Sequence, residues 1–389
     1  MRILHIIASA DRSEGGPVEG VFRLGDAFRA MGVEQHLLTI DPAGSDYLED
    51  SPSQVFALGR MPCAASGPLS RLRGWARYSP EALHWLRDNV TNYDGVIVDG
   101  LWNYAAHIAR RILPDSGVPY AVFPHGMLDP WFRDKYPLKH AAKSMLWRVN
   151  EGPLLTHARA AVFTTAVERD LAQDTWRPWR SCDHVVGYGT AAPPVFTRAM
   201  AEAFAEKVPA LAGRPYLLFL SRLHQKKGAD ILLNAYAQQA DALGCDLVMA
   251  GPAEPQYLRA LQAISVPSGK VHWTGMIEGD AKWGALYGCE ALALTSHQEN
   301  FGVVVAEALA CEKPVIISDQ VNIFDRIKIA DAGVICQDNV DAAAHALKQF
   351  AETSQQDRVE MGKRGRDLFL REFDIYETAK RLVAILKGG

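Results

Sequence analysis

Residues 291–310 read ALALTSHQENFGVVVAEALA. Ala291–Leu294 is a short apolar run, the mark of a strand buried on both faces. Residues 295–300 are polar and read as a loop. Residues 301–310 are apolar apart from Glu307 and suit a helix packed on a sheet. Strand, loop and helix make half of a βαβ unit, and repetition of that unit means a parallel sheet covered by helices. Two carboxylates, Glu299 and Glu307, stand eight positions apart. Eight residues of helix advance ~12 Å. Glu299 precedes the helix and can lean over the strand end, whereas Glu307 lies two turns inside. The N–H groups of Asn300, Phe301 and Gly302 point out of the helix start, where they can receive phosphate. Carboxylates accept hydrogen bonds from hydroxyls, so the pair suits a ligand carrying both hydroxyls and phosphate. The plainer reading of the same letters is an acid at a helix start and a surface Glu.

The unit recurs along the chain. Further strands are expected at 216–220, 246–250, 271–273, 314–317 and 334–335, with helices at 230–240, 281–287 and 341–351. The N-terminal half alternates less regularly. Its strands fall at 3–8, 33–40, 95–99, 120–123 and 160–164, with a last one from Val185. A helix over 17–31 has Pro17 in its first turn and Gly32 at its end. Residues 42–75, rich in Pro, Gly, Ser and Ala, are expected to be loops. Residues 187–194 have a linker composition. The expected fold is α/β, with two doubly wound Rossmann-like domains whose parallel sheets face across a cleft. The first covers 1–190 and the second 191–370. A C-terminal helix within 371–389 is expected to pack back on the first. Ligands of such sheets bind at the carboxyl ends of the strands, so the loops that follow strands are the places to search.

The 389 residues suffice for roughly two to three domains. Forty-one basic and 45 acidic side chains give a formal net charge of −4, which supplies no overall drive toward nucleic acid. The cysteines, at 63, 182, 245, 289, 311 and 336, form no C-x-x-C pair and read as reduced thiols of a cytoplasmic protein. No apolar run approaches the ~18 residues of a membrane-spanning helix. Residues 1–7 read as a strand, too short for the apolar core of a signal peptide.

Three more loops follow strands. Residues 13–16, ending Gly15-Gly16, open a helix and can bring N–H groups against phosphate, or simply make a tight turn. They do not form G-x-G-x-x-G. His125-Gly126 follows the strand at 120–123 and is placed either to meet a ligand or to bond nearby backbone. Residues 221–228, SRLHQKKG, gather Arg222, His224, Lys226 and Lys227 before a helix. Such a loop can clamp a diphosphate or stand solvated. It is not a Walker A sequence.

In these residues the chain resembles the GT-B retaining glycosyltransferases of family 4. Glu299 to Glu307 matches the family's E-x7-E pattern, and 221–228 matches its R-L-x-x-x-K-G element. Residues 271–275 resemble the strand-Gly segment that lines the nucleotide base, and Gly15-Gly16 and His125-Gly126 match the N-terminal elements. The resemblance implies a donor-binding second domain and an acceptor-binding first domain. Arg222 and Lys227 would neutralise the donor diphosphate, Glu299 would bond sugar hydroxyls and Glu307 ribose hydroxyls. Backbone at Asn300, Phe301 and Gly302 would hold donor oxygens, and the Gly275–Ile277 loop would meet the base. His125 would touch the sugar near the reacting carbon, and Gly16 would leave room for phosphate and acceptor. Catalysis would rest on His125, Arg222, Lys227 and Glu299. The family needs no metal or other cofactor, and the chain contains no D-x-D. Where relatives often have N-G-[IV] at the domain junction, this chain has Tyr188-Gly189-Thr190.

The implied partners are a nucleotide-sugar donor and a glycan or polyprenyl-linked glycan acceptor, with a role in surface polysaccharide assembly. Basic and aromatic residues gather at 60–80 (Arg60, Arg71, Arg73, Arg77, Trp75, Tyr78) and at 131–148 (Arg133, Lys135, Lys139, Lys143, Arg148, Trp131, Phe132, Tyr136, Trp147). These could touch an anionic membrane surface from the cytoplasmic side, or be ordinary solvated charge over packed rings. An NAD-dependent oxidoreductase, a non-catalytic GT-B partner subunit, and an epimerase or phosphorylase of the same fold are the competing readings.

Overall fold

The computed structural model describes residues 1–14, 16–49, 51–60, 78–130, 133 and 137–388. Strands β1 (Arg2–Ile7), β2 (Glu34–Pro42), β3 (Gln54–Gly59), β4 (Gly95–Asp99), β5 (Tyr120–Phe123), β6 (Ala160–Phe163) and β7 (Asp183–Val185) form one sheet, ordered β3-β2-β1-β4-β5-β6-β7. Strands β8 (Tyr216–Leu220), β9 (Asp246–Ala250), β10 (Val271–Gly275), β11 (Ala291–Leu294), β12 (Val315–Ser318) and β13 (Gly333–Cys336) form a second, ordered β10-β9-β8-β11-β12-β13. Every pairing in both is parallel. The central strands are mostly apolar because helices cover both faces. Ile3, Leu4, Ile6, Val96, Ile97 and Val98 are all fully buried, as are Leu217, Leu218, Leu292 and Leu294.

The chain forms two compact units, Met1–Gly189 with Ile375–Gly389, and Thr190–Asp374. In each, the chain runs outward across three strands and then restarts on the other side of the first. That reversal lies between β1 and β4 in the first unit and between β8 and β11 in the second. At such a switch point the loops diverge and leave a crevice at the carboxyl edge. Polar caps fix where helices begin there. Asn103 accepts from the amide of Ala106, and Thr165 from that of Glu168. The helix Ile375–Lys387 packs on the helix Gly16–Ala30 and on β5. Its Thr378 and Arg381 both donate to the carbonyl of Val186.

Two expectations are corrected. Residues 42–75 are not all loop. β2 runs on to Pro42, a 3-10 turn spans Asp46–Leu48, and Gln54–Gly59 is strand β3. This edge strand pairs on one side only and stays half-exposed, and its apolar run, residues 55–58, is set in a stretch rich in Pro, Gly, Ser and Ala. The helix expected from residue 301 is Val303–Ala310. Gly302 precedes it at φ 74°, a left-handed value that cannot continue an α-helix. Cys63, Arg71, Arg73, Trp75, Arg77, Trp131, Phe132, Lys135 and Tyr136 lie outside the described residues, as does Gly15.

Candidate active site

In the first unit the predicted residues gather at the carboxyl ends of β1, β4 and β5. His125 follows β5 in a left-handed conformation, φ 52°. Its ring is 3 % exposed, and its Nε2 donates to Oδ1 of Asp99, the last residue of β4, at 2.8 Å. The other carboxylate oxygen accepts from Nδ1 of His5, on β1, at 2.7 Å. Asp99 is thus a buried carboxylate between two imidazoles. Burial opposes its charge, but electrostatic attraction to the His5 and His125 rings and the hydrogen bonds from them outweigh that and hold the carboxyl below its ordinary value. With both bonded nitrogens donating, His5 Nε2 and His125 Nδ1 remain buried without a hydrogen-bond partner. Phe123 stacks on the His125 ring at 4.2 Å, and Tyr188 meets it edge-on at 6.0 Å. The Tyr188 hydroxyl donates to the carbonyl of Gly16, and burial pushes this phenol up. The amide of Gly126 donates to Glu168 at 2.6 Å, and Glu168 also accepts from the amide of Thr164. The His125-Gly126 turn is therefore braced from beneath and from behind.

In the second unit the loops after β8 and β11 flank the switch point. Gln225–Lys227 is a 3-10 turn capped by His224, which accepts from the amide of Lys226. Lys227 is ion-paired to Glu299, and both side chains are mostly buried. The loops are tied through backbone as well. The amide of His297 donates to the carbonyl of Lys226 at 2.9 Å, and Thr295 Oγ1 donates to that of Gly228 at 2.8 Å. Glu299 is held from the far side, where its amide donates to Gln320 and its carbonyl accepts from Asn322. Asn300 accepts from the Asn322 side chain at 3.4 Å, and Phe301 packs edge-on against Phe373. The free amides of the first helical turn lie just beyond Gly302. Arg222 is exposed, and among the described residues no acid pairs with it. Gly275 ends β10 at φ 66°, and Ile277 is buried. Glu307 is buried and paired with Lys282 at 2.7 Å.

The tie between the two loops depends on Gly228. Its φ is 61°, and an added Cβ would stand 2.0 Å from the Thr295 carbonyl oxygen. Gly228→Ala is expected to cost at least ~2 kcal/mol, from strain and displacement of the loop. A melting temperature lowered by about 5 °C or more, read by calorimetry, checks this.

The structure brings Lys227, Glu299, Asn300, Phe301 and Gly302 together around one switch point, with Arg222 on the loop that carries Lys227. It sets His125 and Gly16 on either side of Tyr188. Sequence reading missed His5, Asp99, Glu168 and Lys282, and noted Tyr188 only as a departure at the domain junction. The only traces were a histidine inside the apolar strand RILHII and an acid closing GVIVD. Nothing in the spacing of Lys282 and Glu307, on separate helices, announces their pairing.

Two family models match the chain, one in each unit. Residues 15–189 match the glycosyl transferase 4-like domain, and residues 201–368 match glycosyl transferases group 1. The chain is 28 % identical over 156 residues to a GDP-mannose-dependent alpha-(1-6)-phosphatidylinositol dimannoside mannosyltransferase of Mycobacterium tuberculosis, a match covering 39 % of this chain and 40 % of that one. It is 24 % identical over 346 residues to a phosphatidyl-myo-inositol mannosyltransferase of Mycobacterium leprae, covering 82 % of this chain and 79 % of the relative. The fold is that of Anabaena HepE, solved with UDP and glucose, with a TM-score of 0.74 at 16 % identity and full coverage of both chains. The chain thus spans about two fifths of the first of these relatives and most of the second. With residues 15–189 and 201–368 both matched and two parallel-sheet units of the same fold, the protein belongs to the glycosyl transferase group 1 family of GT-B architecture.

Proposed function

We propose that the protein transfers a sugar, with retention of anomeric configuration, from a nucleoside diphosphate donor to a glycan or lipid-linked glycan acceptor in surface polysaccharide assembly. The observation that carries this reading is the Lys227–Glu299 pair at the β8/β11 switch point, beside the exposed Arg222 and a helix start. It sets cations and helix amides next to a hydroxyl acceptor, the complement of a sugar diphosphate. The M. tuberculosis relative is named for GDP-mannose and HepE was solved with UDP and glucose, which supports the same ligand class.

As the glycosidic bond to the diphosphate breaks, negative charge grows on the leaving phosphate and positive charge on the anomeric carbon. Lys227, Arg222 and the helix amides meet the first. Glu299 fixes the sugar through its hydroxyls, and Glu307 the ribose. Gly275, Ile277 and the backbone of Asn300, Phe301 and Gly302 complete the donor site. His125 touches the sugar, and Gly16 leaves room for phosphate and acceptor. The acceptor attacks from the face the diphosphate leaves, and the diphosphate takes its proton. Protein cations suffice for the leaving group, so no metal is needed and turnover should survive EDTA unchanged.

The test is a thermal-shift panel of UDP-, GDP-, ADP- and dTDP-sugars and NAD on wild type and on Lys227→Ala. One nucleotide sugar should stabilise wild type and not the variant. A shift with NAD alone would overturn the reading in favour of hydride transfer. Proton NMR of the product's anomeric centre decides retention.

Membrane association is part of the same proposal. No helix of the described residues is long and apolar enough to cross a membrane. The helix Pro137–Leu146 and the turn after it expose Leu138, Met145, Leu146 and Val149 beside Lys139 and Arg148. Exposed apolar groups flanked by cations suit insertion at an anionic lipid surface. The cluster around residues 60–80 supports it less, since Arg60 is paired with Glu81. Sedimentation should show more protein on phosphatidylglycerol vesicles than on phosphatidylcholine vesicles, and Met145→Glu should abolish the difference. Equal partitioning of wild type onto both would sink the idea.

A further inference from the structure

The helix Val303–Ala310 packs into the core of the second unit, with Val305, Ala306, Ala308 and Leu309 fully buried. Glu307 sits among them with its side chain 4 % exposed. Its carboxylate accepts from Lys282 Nζ at 2.7 Å, and Lys282 is itself only 23 % exposed and lies over the Trp283 ring. Desolvating two charges offsets most of what their attraction returns, and apolar residues of similar size commonly serve a fold as well or better. The pair is therefore poorly explained by stability. Its position is better explained by a ligand. Lys282 stands in the first turn of the helix Gly279–Gly288, a few residues beyond Gly275 and Ile277 at the end of β10. These are the elements assigned to the nucleoside.

We propose that Lys282 is the positioning residue that fixes the Glu307 carboxylate for the vicinal hydroxyls of the donor's ribose, and so sets the preference for ribonucleotides. The inference rests on the donor reading above. A carboxylate with three rotatable bonds, already fixed by the Lys282 ammonium group, meets two adjacent hydroxyls without losing that freedom on binding. A site built to bond a hydroxyl rejects the analogue that lacks it, because its own polar group is left unpaired. Removal of Lys282 would let the carboxylate swing and erase that rejection.

The experiment is isothermal titration of UDP, GDP and ADP, each with its 2′-deoxy counterpart, into wild type, Lys282→Met and Lys282→Arg. Wild type should prefer the ribose form of the nucleotide it binds by about tenfold to a hundredfold. In Lys282→Met the preference should fall to about twofold or less, with the 2′-deoxy form binding nearly as before. Lys282→Arg should restore most of it. Equal weakening of both forms in Lys282→Met would mean a merely structural role and overturn the inference, as would an unchanged preference. The double variant Lys282→Met with Glu307→Leu should melt at or above the wild-type temperature, and its unfolding would overturn the claim that the pair serves a ligand. Wild type binding the ribose and deoxy forms equally defeats this inference alone. Wild type binding none of the three defeats the donor reading as well.

Discussion

Lys227→Ala is expected to lower kcat/KM for the donor about a hundredfold to a thousandfold, the scale on which loss of one group facing developing negative charge is felt. Lys227 is held firmly in the proposed donor site. The 3-10 turn Gln225–Lys227 sets its backbone, the Lys226 carbonyl is tied to His297, and its ammonium group is paired with Glu299. An ammonium group has three donors, so it can serve a carboxylate and a phosphate together. Alanine removes the charge and leaves Glu299 without that partner, which should also cost ~1–3 kcal/mol of stability. The two effects separate by experiment. Glu299→Gln keeps the lysine and its charge, so donor binding should suffer less in that variant than in Lys227→Ala. Steady-state kinetics at saturating acceptor, with melting temperatures measured alongside, checks both statements. Wild-type turnover in Lys227→Ala would remove Lys227 from the leaving-group site.

Asp99→Asn carries the second large expected effect, a fall in kcat of about 10²-fold or more with donor KM little changed. The carboxylate accepts from two rings, Nδ1 of His5 and Nε2 of His125. An amide has one accepting oxygen, and its NH2 must face a nitrogen that now has to accept. One imidazole is thereby forced into the other tautomer or out of its bond, although size and shape hardly change. Nitrogen-15 NMR of the histidine rings reads the tautomers directly, and an unchanged pattern in the variant would refute the account. The acid limb of stability should change as well. The folded-state pKa of Asp99 lies below its ordinary 3.8, so its stabilising contribution is complete above that value and is lost as pH falls through the lower one. Between neutral pH and about pH 3, wild type should lose more stability than Asp99→Asn.

Much of the sheet was legible because central parallel strands announce themselves. YLLFL, DLVMA and ALAL are too apolar and too short for anything but strands buried on both faces, and β8, β9 and β11 occupy those residues. Gln54–Gly59 was missed because its four apolar residues, 55–58, lie among Pro, Gly, Ser and Ala and were outweighed by that composition. The helix start moved two residues because Phe301 is apolar for a different reason, packing on Phe373 rather than extending the helical face. Of the candidate site, the loop residues stood out in the sequence, since charge directly after a buried strand draws notice whether it binds a ligand or stands solvated. Their supports could not. Asp99 meets His5 across 94 positions and Glu299 meets Lys227 across 72. Contacts of that separation belong to topology, and spacing along a sequence does not encode them.

The first unit is completed by a helix that the ribosome makes after the entire second unit. Residues 375–387 cover the helix Gly16–Ala30 and β5, and Leu386 fills the space over Gly95, where a Cβ would come within 2.9 Å of it. Elongation at ~5–20 residues per second leaves that apolar surface uncovered for roughly ten to forty seconds after residue 189 has been added. The inserted unit, Thr190–Asp374, meets no such delay and can close as soon as its own strands emerge. During synthesis the order of maturation therefore runs against the order of the sequence. A chain cut just after residue 374 would carry a finished second unit and an unfinished first one, and it is the first that would need a chaperone.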